Sequence, residues 1–144
     1  MRKNHLIVIV LLAFILASLG CAHLVPAPTK GSEEALKERV AQEWEAKMNK
    51  DGGALYDLTT DQHKERVPRD SFKYRSNVNL TGFSIQDLEI VEGGTKALVR
   101  VNIKIKQAGF NFTFPVREEW LWQRGAWRLD IKPAPKGALP AIGG

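Results

Sequence analysis

One carboxylate near the end of the chain lies in an unusual pattern. In the segment FTFPVREEWLW, residues 112–122, Glu118 falls at the same alternate spacing as Phe114, Val116, Trp120 and Trp122. Side chains two apart in a strand point to one face, so this spacing directs an ionisable group into an apolar pocket. There it could keep its proton to higher pH and serve as a general acid or base. The alternative, which we favour, is an ion pair across the sheet with one of three arginines: Arg100, Arg117 or Arg128.

Other catalytic chemistries have less support in the sequence. His63 is the only histidine between residues 32 and 132, whereas zinc sites usually combine several His or Cys ligands. Asp57 and Asp61 lie near it and are better explained as a solvated helix face. A nucleophilic triad would have only His63 as its base. We therefore predict no metal and no cofactor.

The only cysteine, Cys21, follows a long apolar run. Arg2 and Lys3 precede an uncharged segment, Leu6–Gly20, which as a helix would cover roughly 22 Å of a hydrocarbon layer that is ~30 Å thick. This profile is typical of a cleaved signal peptide. The sequence LASLGCA, residues 16–22, resembles the lipobox of bacterial lipoproteins, in which the cysteine is diacylated and becomes the new N-terminus, although Ser18 and Leu19 stand in reversed order. An ordinary secretory signal and an uncleaved anchor are the alternatives.

The resemblance to lipoproteins implies that the protein lies in the bacterial cell envelope, attached to a membrane through lipidated Cys21. Ala22 favours the periplasmic side of the outer membrane if the host is Gram-negative. Removing the signal lowers the formal charge from +5 to +3, which is not typical of a nucleic-acid-binding protein. We predict a signal peptide over residues 1–20, a tether over 21–31, one domain over 32–132 and a disordered tail over 133–144.

The domain begins with a helical pattern and continues as strands. Leu36, Val40, Trp44 and Met48 recur every four residues after a capping Ser32, and we expect Gly52 and Gly53 to end the helix. Short helical pieces should follow around residues 55–58 and 72–74, separated by Pro68. From Phe83 onward the alternation of apolar and polar residues predicts antiparallel strands over 83–90, 95–106, 110–123 and 126–131. Pro115 implies an edge strand or a bulge, and a bulge would reverse the facing of Glu118 and Glu119.

This order of elements predicts an α+β fold with N-terminal helices packed on a curved antiparallel sheet. The sequences KDGGALYDLTTDQHKERVPRDSF and EEWLWQRGAWRL, with the strand pair between them, resemble the cone-shaped nuclear transport factor 2-like (SnoaL-like, cystatin-like) superfamily. That fold hosts isomerases, dehydratases, cyclases, subunits of export machines and non-catalytic binding modules. The resemblance therefore implies a fold rather than a reaction.

Enzymes of this superfamily often place an aspartate in the mouth of the cone, sometimes with a tyrosine as hydrogen-bond donor. The residues that match are Asp87 and Tyr56, so the candidate catalytic residues are Asp87, Glu118 and Tyr56. The aromatic side chains predicted to line a ligand pocket are Trp44, Tyr56, Phe112, Phe114 and Trp120.

The leading hypothesis is a non-catalytic envelope domain that binds a small apolar ligand or an envelope protein. The alternatives are an isomerase-, dehydratase- or cyclase-like enzyme and an assembly subunit of an envelope machine. The row Lys96, Arg100, Lys104 and Lys106 could meet phosphate head groups, but a wetted strand face is the simpler explanation. It is too polar for a large dry interface, so we expect a monomer or a weak homodimer.

Overall fold

The computed structural model describes residues 30–74 and 76–133. Three helices come first: α1 (Glu33–Met48), α2 (Gly52–Leu58) and α3 (Asp61–Arg66), followed by a short 3-10 turn at Arg69–Ser71. Within these residues no helix has the length and apolarity needed to cross a membrane. The predicted signal peptide, lipidated Cys21 and almost all of the predicted tail lie outside the described residues.

Four antiparallel strands complete the domain. They are β1 (Asn79–Val91), β2 (Lys96–Gln107), β3 (Phe110–Gln123) and β4 (Ala126–Leu129), and they lie in sequence order across the sheet. The turns at Ala108–Gly109 and Arg124–Gly125 have positive φ at both residues, the combination that tight two-residue hairpins need. The predicted α+β fold, with helices packed on a curved antiparallel sheet, is confirmed.

Helix α1 packs its apolar stripe onto one face of the sheet. Ser32 caps its first turn by accepting a hydrogen bond from the Ala35 amide at 3.2 Å. The core brings Trp44 together with Trp120 and Trp127, all almost fully buried. The Trp127 indole donates to the Ser32 carbonyl at 3.0 Å, which satisfies its buried N–H and fixes the start of the helix.

Two details of the helical region differ from the predictions. Met48 is 38% exposed because it lies in the last turn of α1, at the margin of the packed face. Gly52 and Gly53 begin α2 instead of ending α1, since Lys50 reverses the chain with φ of 55° and the Asp51 carboxylate accepts from the Ala54 amide at 2.9 Å.

The last helical piece also differs from the prediction. It lies at Arg69–Ser71 and ends before Phe72 and Tyr74, which instead pack against the core.

Pro115 lies on an edge. The pairing of β2 with β3 runs without a break through Pro115, and β4 pairs only with residues 120–123 of β3. Because no strand pairs with β3 on its other side at Pro115, the lack of an amide hydrogen there removes no hydrogen bond between strands. The register shifts occur in β1 instead, between Leu80 and Gly82 and between Ile85 and Asp87, so the facing of Glu118 is that of an unbulged strand.

Replacement of Trp44 should measure how much the helix–sheet contact stabilises the domain. Trp44 is 3% exposed, so Trp44→Ala should lower the free energy of unfolding by about 3–5 kcal/mol through the cavity it leaves. Denaturant unfolding of the full chain, followed by tryptophan fluorescence, measures this. Met48→Ala on the same helix is the control and should cost under about 1 kcal/mol. Equal losses in the two variants would show that α1 does not pack as described.

Candidate functional site

Three charged side chains meet at the seam between α1 and β3. Glu43 and Lys47 lie one turn apart on the buried face of α1, and Glu118 points at them from β3. Lys47 Nζ lies 2.5 Å from Glu43 Oε1 and 3.9 Å from Glu118 Oε1. Glu43 is fully buried, and Lys47 and Glu118 are each 8% exposed. We call these residues the seam triad.

One positive charge in the triad faces two carboxyl groups. Burial, followed by the negative charge of Glu43, raises the pKa of Glu118 well above its ordinary value, while Lys47 opposes the rise. The Trp120 indole donates to Glu118 Oε2 at 3.3 Å. Glu118 Oε1 and both Glu43 oxygens have no well-directed hydrogen bond from a described residue. A proton on Glu118 makes the triad neutral and gives one of these buried oxygens a partner.

A cavity of about 270 Å³ opens beside the triad. Its apolar wall consists of Leu55, Val116, Leu129 and Ile131. At its rim Lys132 pairs with Glu119 at 2.6 Å, and Glu43, Lys47 and Glu118 lie along one side of it. Arg117 and Asp130 also line it, so the apolar residues form only one wall, and its volume is slightly below the ~300–1,000 Å³ that is usual for small-molecule sites.

The two other catalytic candidates are not brought together. Asp87 is exposed on β1, where a register shift follows Ile85, and its carboxylate accepts from the Leu88 amide at 3.0 Å. Tyr56 is buried on α2, and its hydroxyl donates to the Val67 carbonyl at 3.0 Å. The phenol is already engaged and faces Phe72, so the two side chains do not form the acid–base pair suggested by the superfamily resemblance.

The predicted pocket aromatics divide into two groups. Trp44 and Trp120 are buried in the core, where Trp120 reaches the triad through its bond to Glu118. Phe112 and Phe114 are 42% and 47% exposed, although they share the core face of β3. They lie on the part of the strand that α1 does not reach, so they do not line the cavity described above.

An open groove on the opposite face of the sheet is a weaker candidate. It measures about 410 Å³ and is lined by alternating charges from Asp87, Glu89, Arg100 and Arg117. The side chains of all four are exposed, so water screens their interactions and leaves their chemistry ordinary. The seam triad is the better site because its charges are removed from water.

Glu118 was predicted to point inward and does so, but its predicted arginine partner is wrong. The cation is Lys47, whose side chain extends from the last turn of α1 to within 3.9 Å of Glu118 Oε1. Sequence analysis missed Glu43 and Lys47 as inward residues. They stand seven and eleven residues after Leu36, which is the spacing of a buried stripe. That spacing could have indicated that Glu43 and Lys47 face the core, but charged residues are normally expected to face solvent.

Comparisons with known proteins bear on the fold. No protein-family model matches the chain, and no curated protein matches its sequence. The solved structure of a SEC-C motif-containing protein from Rhodopseudomonas palustris is similar, with a TM-score of 0.52 and 16% identity over 72% of this chain and 77% of that one. A solved NTF2-like protein from Cytophaga hutchinsonii has a TM-score of 0.48 and 18% identity over 69% of this chain and 93% of that one. Likenesses this distant concern the fold alone, so function has to be argued from the residues themselves.

The raised pKa of Glu118 makes stability depend on pH in a defined direction. The folded state holds a proton that the unfolded state releases above about pH 4.5, so this carboxyl destabilises the fold as pH rises from there towards its folded pKa. Glu118→Gln removes that contribution. The melting temperature of the variant minus that of the wild type should therefore increase with pH above about 4.5. Near-ultraviolet circular dichroism of the full chain in mild detergent measures both.

Taking the difference between the two proteins removes the opposite contribution of His63, whose pKa is lowered by burial. His63 is present in both proteins. A difference that stays constant across the pH range would show that Glu118 titrates as an ordinary carboxyl.

Proposed function

We propose that this chain is a lipid-anchored domain of the bacterial envelope that binds a small, largely apolar ligand beside the seam triad and does not act on it chemically. The observation that carries the proposal is the cavity itself: apolar side chains form one wall, and a buried carboxyl with a raised pKa lies on the other. Its size admits a ligand of few heavy atoms.

The triad favours binding over catalysis because its charges are already paired with one another. Lys47 contacts both carboxyl groups, and Trp120 holds one oxygen of Glu118. A carbonyl or ether oxygen of a ligand would take the hydrogen bond that the proton of Glu118 otherwise gives within the triad, which would orient the ligand against Leu55 and Val116. A general base would instead need Glu118 to be free and ionised.

The proposal of an envelope location rests on residues 1–22. The uncharged segment Leu6–Gly20 follows two basic residues, and Cys21 comes immediately after it. Two or three acyl chains on that cysteine would hold the protein stably on a membrane, where one chain would not.

The second candidate function is an isomerase-, dehydratase- or cyclase-like enzyme with Glu118 as its proton donor. Its support is the same raised pKa, which is common at catalytic carboxyls. The Glu118→Gln variant separates the two functions. In a binding domain both the wild type and the variant leave the bound ligand unchanged, whereas in an enzyme the wild type converts its substrate and the variant binds it without converting it.

Filling the cavity should remove the ligand. Val116 lines the cavity and is half-buried, so Val116→Phe places an aromatic ring where the ligand would lie. Native mass spectrometry of the full chain extracted in detergent should show a small-molecule adduct on the wild type and its loss in this variant.

The matched control is Leu98→Phe, which adds similar volume at an exposed position on the opposite face of the sheet and should retain the adduct. An adduct retained by both variants would place the ligand elsewhere. A wild type without any adduct, at any stage of purification, would contradict the binding proposal.

The anchor is tested separately. Cys21→Ser should abolish incorporation of labelled palmitate and leave a longer precursor with its signal attached, because no thiol is available for acylation. Gel migration and label incorporation in the expressing bacterium measure both effects. Equal labelling of wild type and variant would exclude lipidation at Cys21.

A further inference from the structure

The β2–β3 hairpin extends beyond the helices and exposes an aromatic surface. Helix α1 has 16 residues and is about 24 Å long, whereas β2 has 12 residues and spans about 40 Å. Beyond the end of α1, the core face of the sheet continues through Ile103 and Ile105, which pair with Phe114 and Phe112. Phe110 is 69% exposed at the turn. We call residues 104–114 the hairpin tip.

The exposed rings form a connected surface. Phe112 and Phe114 stack with ring centroids 6.1 Å apart. Ile105, the cross-strand partner of Phe112, is buried beside them. On β1, the residues that pair with Ile105 and Ile103 on this face are Leu80 and Phe83, and both are half-buried. The free apolar surface is therefore concentrated on β3, where three phenylalanines stand within five residues, and such concentrations usually mark an interaction site.

The charges around this surface are all of one sign. Residues 97–117 contain Arg100, Lys104, Lys106 and Arg117 and no acidic residue, and residues 79–86 of the facing strand contain none either. Lys104 and Lys106 project from the other face of the hairpin tip and are exposed. Among the described residues neither makes a salt bridge, unlike Lys96 at the other end of β2.

We propose that the hairpin tip docks on the surface of an anionic lipid bilayer. Phenylalanine rings partition into the interface between head groups and acyl chains. Nearby lysines are attracted to anionic head groups within a Debye length of the surface. A two-stranded hairpin that approaches end-on brings both of its faces to the bilayer, so the rings and the lysines act together. An acidic protein surface would satisfy the lysines but would also need an apolar groove for three rings, whereas an anionic bilayer provides both kinds of contact.

The opposite end of the sheet carries the connection towards Cys21. The Gly31 amide donates to the Gly94 carbonyl at 3.2 Å, beside the β1–β2 connection. The ten residues from Cys21 to Lys30 are separated by nine Cα-to-Cα steps and can span at most about 30 Å, which is less than the length of β2. If Cys21 is lipidated, as proposed above, both contacts form together only when the domain lies tilted on the membrane. The hairpin contact itself does not depend on that lipidation.

A tryptophan placed in the tip reports its depth directly. Phe112→Trp in the full chain is reconstituted into vesicles of equal parts phosphatidylcholine and phosphatidylglycerol, with or without bromine on the acyl chains. Bromine should quench the added emission, relative to wild type, at least about twofold. Leu98→Trp, which is exposed near the far end of β2, is the matched control and should be unaffected. Every variant carries the same N-terminal segment, so a difference in quenching between variants reports the tip and not attachment.

The charge requirement has its own pair of variants. Lys104→Glu with Lys106→Glu, in the Phe112→Trp background, should reduce quenching to the level of the Leu98→Trp control, as should vesicles of phosphatidylcholine alone. Lys37→Glu with Arg124→Glu changes the net charge equally, away from the tip, at two exposed positions and should leave quenching intact.

Three results would overturn the proposal. The first is quenching of Phe112→Trp no greater than that of Leu98→Trp. The second is quenching that is unchanged both by the lysine substitutions and by vesicles of phosphatidylcholine alone, since the contact would then not depend on an anionic surface. The third is a concentration-dependent blue shift of the added emission in lipid-free detergent, which would assign the surface to a second copy of the chain. Palmitate labelling at Cys21 is unaffected by any of these, so the two proposals fail independently.

Discussion

The structure depends on a mismatch in length between one helix and the sheet beneath it. Helix α1 extends about 24 Å, while the strands it covers extend about 40 Å or more. Where α1 lies over the sheet, Trp44, Trp120 and Trp127 exclude water completely. Where α1 ends, its last turns meet β3 through Glu43 and Lys47. Beyond that point the apolar face continues without a helix. The core, the seam triad and the hairpin tip are therefore three successive zones along one surface.

The position of the seam triad at the end of the covered zone explains why it is charged. A helix end is where water and core meet, so long side chains can bury their stems while their charged ends remain close to solvent. The cavity lies between the triad and the protein surface. At its rim Glu119 forms ion pairs with Lys96 and Lys132. Burial there is deep enough to raise the pKa of Glu118 and shallow enough for a ligand to enter.

Periodicity predicted most of the fold because the covered residues obey it. Val40 and Trp44 on α1, and most of the core-facing residues of β2 and β3, are apolar, so the spacing could be recognised. Only part of the seam triad could be predicted from the sequence. Glu118 interrupts an apolar strand and is conspicuous, whereas Lys47 lies among the many charged residues of α1 and is not. Which cation meets Glu118 depends on how far α1 reaches along β3, and no local pattern encodes that distance.

The same limit explains why Phe112 and Phe114 were assigned to a pocket. Their spacing gives the correct face of β3, but whether that face is covered depends on helix length and crossing, which are tertiary quantities. An alternating apolar strand identifies a surface that avoids water without specifying what covers it. Within this domain part of that surface is covered by α1 and part is exposed at the hairpin tip.

The two ion-pair distances in the seam triad indicate which of its two carboxyl groups is compensated by Lys47. Lys47 lies closer to Glu43 than to Glu118, at 2.5 Å against 3.9 Å, so its charge compensates Glu43 first. Ionising Glu118 would leave a net negative charge in a seam that is largely shielded from water, which is costly. Glu118 therefore keeps its proton and is suited to donate a hydrogen bond in that form rather than to act as an ionised base. For the proposed ligand, an oxygen beside Glu118 would accept that hydrogen bond without any transfer of charge, so a neutral molecule is the class that we propose.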